Sequence, residues 1–229
     1  MPLFAFEKIT YAVGDNGSHK VSVSGSVDKG GVLAITGPSG SGKTTLLRIL
    51  ARLQQPIAGK AWLDGKNWSD FSPSEWRIRI HYLAQKPAFL PGTVLDNLKW
   101  PFQLAAIKKR EGFNREKAAD LASKMLLPGD IFERDAQIIS GGEAVRVSLI
   151  RSLLISPTVL MADEPTAALD ADAREAVIAV LKNWLRDTGG ALLLVSHLED
   201  VETFPSAAKV VIGYQGKQLI NQAHQSLDL

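Results

Sequence analysis

The stretch "GPSGSGKT", Gly37 to Thr44, decides how the rest of the chain is read. It fits the pattern G-x-x-x-x-G-K-[ST] and stands between two segments of the right kind. Before it, "VLAIT" is a short apolar run suited to a buried strand. After it, Leu46, Leu47, Leu50 and Leu53 recur at helical spacing. A glycine-rich turn between strand and helix lets backbone N–H groups curl around phosphates. Gly37, Pro38, Ser39, Gly40, Ser41, Gly42, Lys43, Thr44 and Thr45 are therefore candidate nucleotide-binding residues. Lys43 is expected to reach the β- and γ-phosphates, and the Thr44 hydroxyl to ligate Mg²⁺.

Such a site needs carboxylates, and "TVLMADEPTAALD" supplies them. Its apolar run reads as a buried strand that delivers Asp163 and Glu164 to its carboxyl end, where α/β sheets place their ligands. Asp163 is suited to hold the metal. Glu164, one residue on, is suited to act as general base on a water in line with the γ-phosphate. A second anion-friendly stretch, "ISGGEAVR", lies between these two. Ser140 can cap the helix that follows. The N–H groups around Gly141 and Gly142 would then be free for a negative ligand.

The remaining segments frame these motifs. "FAFEKI" and "KVSVSGSV" alternate as strands around the turn "GDNGS". "KAWLDGK" reads as an edge strand, and "HYLAQ" as a short buried one. Thr93 to Leu154 is mostly helical. "ADAREAVIAVLKNWLRD" follows as an amphipathic helix, "ALLLVSH" as a strand and "AKVVIGYQGKQLIN" as a terminal hairpin. The order predicts a mixed α/β core built from residues 1–84 and 158–229, with a helical insert over residues 85–157.

Composition narrows the function classes. A chain of 229 residues, 45% hydrophobic and 22% charged, reads as a soluble globular protein. A net charge of +2 gives no support to a nucleic-acid partner, and none is expected. The absence of cysteine rules out disulfides and thiolate metal sites, and fits a reducing compartment. The start "MPLFAFEKIT" lacks a basic region followed by an apolar run. The longest apolar stretch is interrupted by Arg151 and Pro157, so any membrane spanning is expected from another chain.

Taken in order, "GPSGSGKT", Gln85 in "LAQKP", "ISGGE", "LMADEPTAALD" and His197 in "LVSHLED" resemble the ATP-binding subunits of ABC transporters. The resemblance covers nearly the whole chain. It implies a P-loop NTPase core of the RecA-like kind, an N-terminal antiparallel β subdomain and an inserted α-helical signature subdomain. It also implies ATP and Mg²⁺ as cofactors, with Thr44, Gln85 and Asp163 around the metal. Gln85 would link metal and attacking water to movement of the helical insert. His197 would contact the γ-phosphate, and Glu164 would be the base. Ser140, Gly141, Gly142 and Glu143 would meet the γ-phosphate held by a second copy packed head to tail, and Ala167 to Asp170 would communicate between the two.

The chain departs from the family in three places. Ile139 and Glu143 stand where leucine and glutamine are most frequent, and Val13 stands where the family has an aromatic ring against adenine. Tyr11, two residues earlier on the same strand face, is the substitute expected here. The segment "KPAFLPGTVLDNLKWPFQL" reads either as packing within the insert or as a groove for a short helix of a membrane permease. On the second reading the permease docks near Gln85 to Gln103, with Phe89, Trp100 and Phe102 as anchors. Together with "ITGPSG" and "SLIRSLL", the segment resembles single-domain subunits of the small iron-export type. The expected function is ATP hydrolysis that energises a transporter from the cytoplasmic face of a membrane. The rivals are a soluble ABC-type ATPase serving Fe–S assembly, DNA or ribosomes, and a nucleotide-sensing switch without turnover.

Overall fold

The structure, a computed structural model, describes residues 1–14, 19–108, 112–196, 198–213 and 221–222. Strands β1 (Phe4–Val13) and β2 (His19–Val27) pair antiparallel. β3 (Val32–Thr36) leads through the glycine loop into helix α1 (Lys43–Leu50). β4 (Ala58–Leu63) and β5 (Lys66–Asn67) complete a four-stranded sheet of order β2-β1-β4-β5. Helix α2 (Pro73–Arg79) follows, unforeseen in the sequence reading although its start is well marked. Ser72 and Glu75 form a reciprocal cap around Pro73, and Trp76 is buried with its indole N–H on the Leu50 carbonyl at 2.7 Å.

A second sheet carries the chemistry. β6 (Ile80–Leu83), β7 (Val159–Asp163), β8 (Ala191–Val195) and β3 run parallel. β9 (Ala208–Val211) joins β3, and β10 (Asn221–Gln222) adds antiparallel to β9, so the order is β10-β9-β3-β8-β7-β6. Its central strands are buried on both faces and alternate strictly between two cores. Leu33, Ile35, Val159, Met161, Leu193 and Val195 face α1 and the antiparallel sheet. Leu160, Ala162, Leu192 and Leu194 face the other way.

That opposite core is helical. Between β6 and β7 the chain forms α3 (Val94–Lys99), α4 (Ala105–Lys108), α5 (Arg115–Lys124) and α6 (Gly141–Leu154). α7 (Ala171–Thr188) crosses from β7 to β8, and α8 (Leu198–Glu202) follows β8. Side-chain oxygens of Thr93, Asn114, Ser140 and Asp170 cap α3, α5, α6 and α7. Each such cap is worth about 1 kcal/mol. Apolar residues of these helices, such as Leu98, Ala122 and Leu153, share one continuous cluster with the sheet face.

Candidate functional site

The parallel strands end on one edge, and the loops that leave them build a cleft of about 740 Å³. Its wall brings together Gly37, Ser39, Gly40, Gly42, Lys43, Thr44 and Thr45 with Gln85 and Glu164. The glycine loop has this shape because two of its residues admit no side chain. At Gly37, φ is 148°, and a Cβ would sit 2.2 Å from the Ile212 carbonyl oxygen. At Gly42, φ is 95°, and a Cβ would lie 2.5 Å from Val13 Cγ1. Gly42 begins α1 with no side-chain cap, so the first-turn N–H groups stay outside the helical ladder and are open to an anion. Lys43 Nζ donates to the carbonyls of Gly37 and Pro38, both at 2.9 Å, which holds the ammonium at the mouth of the loop. Pro38 is exposed, whereas Ser41 is buried within the loop, its hydroxyl lacking a partner among the described residues.

Parity of the β7 strand sets the carboxylates. Asp163 continues the alternation of Val159 and Met161 toward the α1 side, and is buried at 2% exposure. Tyr82 on β6 donates its hydroxyl to Asp163 Oδ2 at 3.0 Å. Burial, and then the Asp163 charge, raise the Tyr82 phenol well above its ordinary value, so it stays a donor. Glu164 should point to the opposite face, but its φ of 50° breaks the alternation and returns the carboxylate to the cleft. There Gln85 Nε2 donates to Glu164 Oε2 at 2.6 Å.

Sequence reasoning missed several residues. Tyr82 lies 81 positions from its partner, and only the β6–β7 register unites them. Ala12, Gly14 and Ser196 also line the cleft, beside Val13 at the position where the family carries its aromatic ring. Beneath it, the buried Asp200 accepts from Thr166 and Ser196, and from Arg174 Nε at 2.5 Å. Burial raises the Asp200 pKa, but these bonds together hold it below the ordinary carboxylate range. His197 lies outside the described residues.

Tyr11 is placed differently from expectation. A register shift at Lys8, where φ is 49°, turns both halves of β1 toward the core. Tyr11 is then 2% exposed, with its ring under Gly42 and its hydroxyl without a partner among the described residues. It offers no face for a base to stack upon. Phe102 is likewise in the core at 8% exposure, packed edge-on against Phe113, and so is no surface anchor.

The segment Ser140 to Glu143 is no part of the cleft wall. Ser140 caps α6 by accepting from the Glu143 N–H, and Glu143 Oε2 accepts from the Ser140 N–H. Among the described residues the N–H groups of Gly141 and Gly142 have no partner at the helix start, and a Cβ on Gly141 would meet nothing within 4 Å.

The donors in and beneath the cleft suit a magnesium ion. Such an ion is usually bound by one or two protein oxygens, completed by substrate phosphates and water. The Thr44 hydroxyl and Asp163, with Gln85 nearby, match that set. Among the described residues no cluster of histidine and carboxylate groups dense enough to cage a metal exists.

A family model described as "ABC transporter" matches residues 21–167. The chain is 35% identical over 201 residues to the probable iron export ATP-binding protein FetA of Escherichia coli, covering 87% of this chain and 86% of that one. It is also 35% identical over 179 residues to the methionine import ATP-binding protein MetN of Thermobifida fusca, covering 76% of this chain and 55% of the relative. Among solved structures, a dimeric ATP-binding cassette in a post-hydrolysis state with ADP and Pi superposes with a TM-score of 0.77. The two are 25% identical, and the match covers 91% of this chain and 94% of the other.

Proposed function

Since this chain belongs to the ABC transporter family of ATP-binding proteins, we propose how its residues perform the family's work. The protein is an ATPase that binds ATP, acts as a dimer and energises transport through a membrane permease. The roles of individual residues are our reading of the cleft.

The loop Gly37 to Thr45 wraps the phosphates of ATP, and Lys43 leaves its two carbonyls for the β- and γ-phosphates. Backbone donors and one cation, fixed in advance, need no reorganisation when charge develops. Val13, in the cleft wall, packs against the adenine in place of a ring. Thr44, Asp163 and Gln85 hold Mg²⁺, which when bound neutralises phosphate charge. Tyr82 keeps Asp163 oriented. Glu164 takes a proton from the attacking water as the γ-phosphate departs. Its bond to Gln85 makes the base sensitive to the position of the helical segment, residues 85–157. His197 completes the γ-phosphate contacts.

One observation carries the dimeric arrangement. Ser140 and Gly141 are exposed and lie away from the cleft of their own chain, with free N–H donors at the start of α6. Those donors serve the γ-phosphate in the cleft of a second, identical copy packed head to tail. ATP then joins the copies, and loss of the γ-phosphate releases them. No described helix is long and apolar enough to cross a membrane. We place the dimer on the cytoplasmic face, under a permease that touches the segment from Gln85 to Gln103.

The test is Glu164→Gln. The amide keeps the shape and the Gln85 contact but cannot accept the proton. ATP affinity is expected to stay within about twofold, while turnover drops by at least 100-fold, the low end for a lost general base. A nucleotide-bound dimer should accumulate in light scattering. Turnover at the parent rate would show that the proton goes elsewhere.

A further inference from the structure

The start of α6 carries a carboxylate where a polyphosphate should find it least welcome. Glu143 stands at the third position of the helix, its Oε2 drawn back onto the Ser140 N–H at 2.8 Å. The carboxylate therefore overhangs the turn that presents the free Gly141 and Gly142 donors. Uncompensated, its negative charge would oppose a triphosphate at that turn, the more strongly the more water is excluded.

Compensation is built in nearby. Arg134 donates from Nη1 to Glu143 Oε1 at 3.0 Å. Its other edge is fixed by Asp130, with Nε to Oδ2 at 3.1 Å and Nη2 to Oδ1 at 2.8 Å. This fork leaves the guanidinium little freedom to swing off Glu143. Glu143 is mostly covered at 14% exposure, and among the described residues Arg134 is its sole ion-pair partner. Arg146 adds a second positive charge on the same helix, its guanidinium bound to the carbonyls of Gly142, Met125 and Leu126. Two carboxylates and two guanidiniums thus sum to zero beside the free donors.

We propose that Arg134 is a positioning residue for the ATP-bound dimer: it pins and neutralises Glu143, so that the Gly141 and Gly142 N–H groups can donate to the γ-phosphate held by the partner copy. This rests on the shared-site reading given above. Arg134 touches no nucleotide itself. It acts through Glu143, and twice per dimer.

The experiment uses the full chain carrying Glu164→Gln, so that ATP is bound but not consumed. The Mg-ATP concentration giving half-maximal dimer is read by light scattering. Adding Arg134→Ala should raise that concentration about tenfold. Adding Glu143→Gln to Arg134→Ala should return it to within about twofold of the Arg134-containing protein, because no charge is left to neutralise. The Arg134→Ala penalty should also shrink when salt rises from about 0.05 to about 0.5 M, which a loss of local packing would not do. Arg134→Gln, which keeps the stem, should behave like Arg134→Ala. A loss that persists in full in the double variant, or is indifferent to salt, overturns the proposal. Gly141→Glu separates the two readings. If it leaves the ATP dimer intact, the shared site itself is wrong, and this inference falls with it. If it abolishes the dimer while Arg134→Ala changes nothing, the inference alone falls.

Discussion

Two residues in this site occupy conformations or surroundings that folding alone would avoid. Glu164 has the left-handed φ of 50°, which costs a side-chain-bearing residue about 1–2 kcal/mol. The same kink lifts its carboxylate into the cleft beside Asp163, two acidic groups on successive residues sent to one site. Strain and function coincide there. Tyr11 is the other case. Its hydroxyl is buried with no partner, and desolvation pushes its pKa far above the ordinary phenol value. An unpartnered buried hydroxyl costs about 1–3 kcal/mol. Tyr11→Phe, which keeps the ring under Gly42, should therefore stabilise the protein by about 1 kcal/mol in urea unfolding and leave ATP affinity unchanged. A less stable variant would mean that the hydroxyl finds a partner. Lower ATP affinity would mean that it reaches the nucleotide.

At the scale of elements, β6 and α6 meet through an imidazole and a guanidinium. Burial, then the charge of Arg151, lower the His81 pKa to about 4, against a weaker opposing bond with the Arg77 backbone. The sign follows from linkage. Between the ordinary value of 6.5 and about 4, the unfolded chain binds a proton at His81 that the folded chain does not. Stability is therefore lost as pH falls through that window, and His81 contributes no slope above it. In His81→Gln the urea midpoint should fall less between pH 7 and 4.5 than in the parent; equal falls would remove His81 from the acid response. Elements also show what the sequence made legible. The phosphate loop, the two carboxylates and the capped signature each reside in one short stretch, because backbone donors must be consecutive to cradle an anion. The strand–loop–helix order around them was readable for the same reason. The β1 bulge was not recognised: one extra residue near Lys8 reverses the facing of Tyr11, and its trace is the break in the two-residue period between Phe6 and Ile9. Tyr82 with Asp163, and Asp200 with Thr166, depend on register and packing between distant segments, which no local pattern carries.

For the whole molecule the central question is how the cleft reports to the permease. On the docking proposed above, three contacts in one chain would connect them. Gln85 holds Glu164, and Arg151 of α6 sits 5.1 Å over the Phe89 ring while donating to the Ala88 carbonyl. At the far end of α6, a Cβ on Gly142 would meet the Ala168 carbonyl oxygen at 3.2 Å, so the signature packs on the turn that follows Glu164. The helical segment thus touches the base through Gln85 and the turn after the base through Gly142. Phe102 serves the core, and Phe89 is half-covered under Arg151. The apolar surface that this segment leaves exposed is instead Leu90, Trp100 and Leu104, at 47%, 44% and 43%, and we propose it as the seat of a permease helix. A short helix seated there would draw its affinity from one or two large apolar anchors. Leu90→Glu with Trp100→Glu should therefore abolish co-purification with the permease, a loss of at least 100-fold in affinity for two anchors of about 2 kcal/mol each. Both side chains already face water, so the melting temperature and the ATPase rate of the isolated subunit should stay near the parent values. Retained co-purification would move the docking surface elsewhere, and a lowered melting temperature would return these residues to packing within the helical segment.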